Sequence, residues 1–212
     1  MSVQKGEVAM NRSASGLFML LVLLTAPWAQ RQALSAPKFF AGVGTAFPSS
    51  PVEFKNYWNT GFGVGGGVEF GMAPGAALIG RVEYDNLPFD GEAVLSDLGL
   101  SGGGVTADGG AASVLTALVG VRIHAPTGAI RPYGEGAIGF GHFALSDITV
   151  SDGITSETVP GASENNLAVS FGGGIRFTAG PLNVFADFHW TSILMEGDQT
   201  HIMPLRVGLM FP

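Results

Sequence analysis

Eight segments of this chain alternate apolar and polar residues, and the connections between them are alternately short and long. A β-strand turns successive side chains to opposite faces, so each segment carries one apolar and one polar face. The segments are Lys38–Phe47, Gly61–Met72, Ala76–Asn86, Ala111–His124, Ala129–Ala144, Asn166–Phe177, Leu182–Ser192 and His201–Phe211. Three connections are tight: Ala73-Pro74-Gly75, Ala125-Pro126-Thr127-Gly128 and Thr178-Ala179-Gly180-Pro181. Pro and Gly supply the geometry such turns need. The other four run Pro48 to Thr60, Leu87 to Gly110, Leu145 to Asn165 and Ile193 to Thr200. Each segment meets or exceeds the ~9–11 residues of a tilted membrane-crossing strand. The pattern predicts an all-β chain, an eight-stranded antiparallel up-and-down transmembrane β-barrel over residues 38–212.

Charge decides which face points outward. Charged residues make up 13% of the chain, too few to coat a water-facing exterior. The apolar faces, such as Phe62, Val64, Val68, Phe70 and Met72, are too bulky to fill a narrow interior. Within the segments after Lys38 the basic residues are Arg81, Arg122, Arg131, Arg176 and Arg206. All lie on the more polar face, as do Glu69, Glu83, Glu135 and Asp187. An arginine facing lipid near mid-membrane costs about 2–4 kcal/mol, so this set belongs inside. Eight strands enclose a lumen narrow enough for side chains to fill, and these charges are expected to pair there and plug it. Phe185 is an apolar exception on the inner face of its segment. Phe39, Phe70, Phe177 and Phe211 fall near the short-turn rim; Phe47, Phe62, Tyr84, Phe140 and Trp190 fall near the long-loop rim. Two aromatic girdles are what membrane interfaces select.

A formal net charge of −7 argues against nucleic acid as a partner, because phosphate binding needs a basic face. The chain has no cysteine, and His124, His142, His189 and His201 lie on different segments without ligand spacing. Neither a metal site nor a cofactor is expected. Gly61-Phe62-Gly63-Val64-Gly65-Gly66 and Gly134-Glu135-Gly136-Ala137-Ile138-Gly139 match dinucleotide spacing but lie inside strands, the wrong context for that site. Asp187, His189 and Thr191 share one face, with Ser192 next, and contain the groups of a hydrolytic triad. Side chains at i and i+2 of a strand lie side by side rather than converging, so lumen pairing is the expected role. Lys5 and Arg12 precede the apolar run Leu17–Leu24, with small residues at Ala26 and Ala29. That order is a secretory signal peptide over residues 1–29 and implies export.

The long connections are acidic. Asp90, Glu92, Asp97 and Asp108 lie in one, Asp147, Asp152, Glu157 and Glu164 in another, and Glu196 and Asp198 in the last. The two larger of these contain no Lys or Arg. Such a mouth would attract cations, bridge to lipid phosphates through divalent ions, or meet a basic partner. Ser101-Gly102-Gly103-Gly104 has the composition of a flexible linker.

Phe39-Phe40-Ala41-Gly42-Val43-Gly44, Arg131-Pro132-Tyr133-Gly134-Glu135-Gly136 and the aromatic last strand resemble the small outer-membrane β-barrel family. That family includes opacity-type surface proteins, porin-family proteins and the membrane domain of OmpA-like proteins. The resemblance covers Lys38 to Phe211. It implies residence in the bacterial outer membrane as a monomer, surrounded by lipid. It also implies insertion by the barrel-assembly machinery, which reads a terminal aromatic such as Phe211, although Pro212 follows here. With no periplasmic domain after Phe211, peptidoglycan anchoring is not expected. Three functions follow as expectations: a non-enzymatic structural or surface-interaction barrel with an unidentified extracellular ligand, a cation-preferring small-solute pore, or a lipid A-modifying enzyme acting through His189. The family's deacylating members carry His-x-Ser-Asn, and His189-Trp190-Thr191-Ser192 departs from it at the last two positions.

Overall fold

Alternation along each segment obliges the chain to pair every strand on both edges while keeping one face of each in apolar surroundings, and a closed ring satisfies both demands. The computed structural model describes residues 35–179, 182–195 and 199–211. The expected signal peptide, Gly180 and Pro181 of the third tight turn, and Glu196 and Asp198 lie outside the described residues.

The elements in chain order are β1 (Lys38–Ser50), α1 (Val52–Tyr57), β2 (Gly61–Ala73), β3 (Ala76–Leu87), α2 (Gly91–Asp97), β4 (Thr106–Gly109) and β5 (Ala112–His124). They continue with β6 (Ile130–Leu145), β7 (Ile148–Ser151), β8 (Ser156–Val159), β9 (Ser163–Ala179), β10 (Leu182–Leu194) and β11 (Gln199–Phe211). Eight of the strands form a closed barrel in the order β1-β11-β10-β9-β6-β5-β3-β2, every neighbour antiparallel. The ring shuts where β1 meets β11, with Phe39 opposite Phe211 and Gly44 opposite Arg206. The structure therefore has the eight-stranded antiparallel barrel that the alternation predicts.

The outer surface is apolar. Val43, Phe62, Val119, Ile123, Ile130, Phe171 and Val207 are all more than half exposed. A water-soluble protein does not leave such a continuous band uncovered, whereas lipid covers it at no cost. Among the described residues no helix is long and apolar enough to cross a membrane, so the strands do the crossing.

The long connections are not open loops. Two helices, α1 and α2, and a small sheet ordered β4-β7-β8 build a folded cap over that end of the barrel. This was not expected from the sequence, and the flexible composition of residues 101–104 sits in a tight turn with Gly102 and Gly104 at φ of 79° and 75°.

Candidate functional site in the lumen and loop cap

Inward side chains lie in three layers along the barrel. At the short-turn end Phe40, Phe185 and Met210 form an apolar floor. The Phe40 and Phe185 rings meet edge to face with centroids 6.0 Å apart. Phe185 is the inward exception noted above, and glycines make room for it: a Cβ at Gly42 or Gly208 would run into its ring.

Above the floor lies a belt of buried charge. Arg206 donates from Nη1 to Glu83 at 2.5 Å and from Nη2 to both Asp85 oxygens at 2.7 and 2.8 Å. Arg122 bridges Glu69 at 3.0 Å and Glu135 at 2.5 Å, and Arg176 reaches Glu69 at 2.7 Å. Arg81 joins Glu135 at 2.5 Å and Ser170 Oγ at 2.6 Å. Ser170 shares a hydrogen bond with Thr191 at 2.9 Å. Tyr133 donates its phenol to Asp187 at 2.8 Å, and the Arg122 guanidinium lies 4.4 Å from the Tyr133 ring centroid. Partners as close as these are what make a buried ion tolerable, since each has left water. A void of about 10 Å³ lined by Phe40, Arg81, Arg122, Phe185 and Arg206 lies within the belt, room for about one water molecule.

The third layer is apolar again. Leu87, Ala112, Val114, Leu118, Ala137, Ala168, Ile193 and Ile202 line the barrel below the long-loop mouth, and Phe54 of α1 closes onto them. Phe54 packs edge-on against Phe143 of β6 at 5.8 Å and against Trp58 at 5.3 Å.

The cap is tied to this apolar layer through Phe54. Trp58 donates its indole N–H to the Gly110 carbonyl at 2.8 Å and packs against Phe89 at 5.4 Å. Several acids of the mouth are engaged in holding the loops. Asp90 accepts from the Ala93 N–H at the start of α2 and from Asn59. Asp97 accepts from Tyr57, which pushes that phenol above its ordinary range. Asp147 accepts from the Gly161 N–H at 2.7 Å. Asp152 accepts from the N–H groups of Thr155 and Ile154, which hold its carboxyl below the usual range. A cleft of about 480 Å³ opens in the cap between Asn59, Phe89, Leu95, Val105 and Asp108.

No protein-family model matches the chain. No curated protein matches it either. Neisserial surface protein A superposes with a TM-score of 0.52 at 12% identity, covering 85% of this chain and 99% of that one. A major outer membrane protein of Thermus thermophilus gives 0.52 at 13%, covering 83% and 99%. The chain has the fold of the small eight-stranded outer-membrane β-barrels. Identities this low speak to the path of the backbone, so the chemistry of this barrel rests on its own residues.

Of the inward charges named from the sequence, Arg81, Arg122, Arg176, Arg206, Glu69, Glu83, Glu135 and Asp187 lie together in the belt. Arg131 departs from that set. It faces Arg176 across the β6–β9 pair, is half-buried, and makes no ion pair among the described residues. It is the second residue of β6, beside the short-turn rim. Asp85 and Tyr133 complete the belt and were not in the expected set; His189, expected to pair in the lumen, has its Nε2 3.1 Å from Arg81 Nη1. Asp85 needed only the period of two, being two residues beyond Glu83. His189 lies 3.0 Å from Glu135 and 3.6 Å from Asp187. Thr191 is bonded to Ser170 rather than to His189, and both are buried, so the Asp187, His189, Thr191 set is not arranged as a triad. Of the expected girdle residues, Phe39, Phe62, Tyr84, Phe140, Phe177 and Phe211 are exposed on the outer wall, while Phe47, Phe70 and Trp190 are half-buried there. Trp190 stacks between Phe171 at 4.8 Å and His201 at 4.5 Å.

Proposed function

We propose that this chain is a monomeric outer-membrane barrel with a sealed lumen, working as a surface-interaction protein through its folded cap. One observation carries the reading: the barrel spends its interior on three packed layers, while the loops of the opposite investment, α1, α2 and the β4-β7-β8 sheet, are ordered against one another. A solute channel needs a continuous aqueous path, and against one stand the belt's close ion pairs and the void of about 10 Å³ that Phe40, Arg81, Arg122, Phe185 and Arg206 line. A rigid loop surface is the arrangement that lowers the ordering cost of binding a partner. A surface protein is what the Neisserial neighbour is named for, which agrees with this reading. Export by residues 1–29 and insertion by the barrel-assembly machinery belong to the same proposal. The purified protein in a planar lipid bilayer is expected to leave the current at baseline. A steady cation-selective open level would instead establish the pore.

A further inference from the structure

The cap sheet has two edges, and only one is covered. Along β4 the outer edge lies under α2, so close that a Cβ on Gly91 would collide with the Ala107 carbonyl. At the other edge all four residues of β8 are exposed.

The register tells which groups that open edge presents. Because the Ala107 carbonyl points away from β7, the Ala107–Val150 pair is a non-hydrogen-bonded one. Alternation then turns the main chain of Val150 toward β8, and that of its partner Glu157 back toward β7. Ser156 and Thr158 therefore aim their N–H and C=O groups outward. Their side chains agree: Thr149 and Thr158 hydroxyls lie 3.3 Å apart, and those of Ser151 and Ser156 3.1 Å, the closer approach of non-hydrogen-bonded pairs. Neither outward group has a main-chain partner among the described residues.

The two faces of the sheet differ. Ile148, Val150 and Val159 share a face with Glu157, and Val150 and Val159 remain exposed beside the edge. Thr149, Ser151, Ser156 and Thr158 make the other face hydroxylic. Residues 146–165 contain four acids and no Lys or Arg, and the Glu157 carboxylate makes no ion pair among the described residues.

Resting on the cap as the working part, we propose that β8 is a docking edge for an extended basic segment of a partner protein. The segment adds as a fourth strand, its main chain pairing with Ser156 and Thr158, apolar side chains extending the Val150–Val159 face and cations meeting Glu157. A second copy of this chain is a poorer occupant, because antiparallel β8–β8 pairing would bring Glu157 carboxylates together.

The test uses the full barrel in zwitterionic lipid nanodiscs and the fluorescent hexapeptide Val-Thr-Lys-Thr-Val-Thr, whose valines and lysine share one strand face as Val159, Glu157 and Val150 require, with empty nanodiscs as blank. Binding is expected to saturate and to slow hydrogen exchange at Ser156 and Thr158 but not at Glu157. Thr158→Pro removes one outward donor while leaving the β7 ladder intact, and it should weaken binding about tenfold, the order of one or two lost main-chain hydrogen bonds. A peptide with glutamate in place of lysine should bind about tenfold less tightly as well. Absence of binding, binding indifferent to Thr158→Pro, or protection of Ser156 and Thr158 that rises with protein concentration alone would each overturn the proposal. None of those outcomes touches the bilayer current, so this edge and the sealed surface barrel fail separately.

Discussion

Neighbouring residues of β11 show how sharply the environment changes across one barrel wall. Arg206 is buried among Glu83 and Asp85, while Val207 is more than half exposed to the outside. Arg206→Leu strands two carboxylates in the lumen and is expected to lower stability by about 3–5 kcal/mol. Val207→Arg puts the same guanidinium on the lipid side near the middle of the strand and should cost about 2–4 kcal/mol. Urea unfolding in lipid vesicles, followed by tryptophan fluorescence, measures both. Equal tolerance of arginine at the two positions would contradict the assignment of faces. At this scale the sequence was mostly legible, because strand parity alone assigns a side chain inward or outward. Parity also places Asp85 and Tyr133 with the belt. What it cannot supply is which carboxylate an arginine chooses, since Arg206 pairs with residues 123 and 121 positions away. Nor does it reveal that Phe185 lies over Gly42 and Gly208, which needs three strands in register.

The elements divide into those that local chemistry determines and those that packing determines. The eight long strands have alternation over a dozen or more residues and Pro-Gly turns, and all eight were legible to within a few residues. The cap elements were not. Helices of 6 and 7 residues are too short for propensity to act, and α1 exists because Phe54 seats in the barrel mouth. Phe54→Ala is therefore expected to remove about 3–5 kcal/mol of contact energy and to speed amide exchange through α1. An unchanged exchange pattern would mean that α1 stands without its anchor. The β7–β8 turn depends instead on Asp152, whose carboxylate accepts from Thr155 and Ile154. These bonds hold its folded pKa below the ordinary value. A depressed folded pKa means that the contribution is fully present above the ordinary aspartate range and is lost as pH falls through the lowered value. The Asp152 carboxyl resonance should titrate below about pH 3.9, and Asp152→Asn should make the turn's order independent of pH in that region.

For the whole molecule, the seam between β1 and β11 matters more than its length suggests. Every other pair in the ring joins strands close in sequence, whereas this one joins the two ends of the barrel sequence and must form last or together with them. Gly208 sits in the seam, where a side chain would collide with the Ala41 carbonyl and the Phe185 ring. Gly136 lies on the outer wall of β6 with open space where its Cβ would be. Both glycines are in strands, and both substitutions to leucine carry a similar intrinsic propensity, so any difference between them reports closure rather than strand formation. Gly136→Leu is expected to keep the shifted gel mobility that an intact barrel shows when unboiled. Gly208→Leu is expected to migrate identically boiled and unboiled, because an unclosed ring leaves main-chain groups without partners in lipid and unfolds in detergent. If Gly208→Leu retained the shifted band, the seam would be yielding by about an ångström to bring an ordinary contact with the Ala41 carbonyl, and the floor formed by Phe40, Phe185 and Met210 would have to be looser than its packing implies.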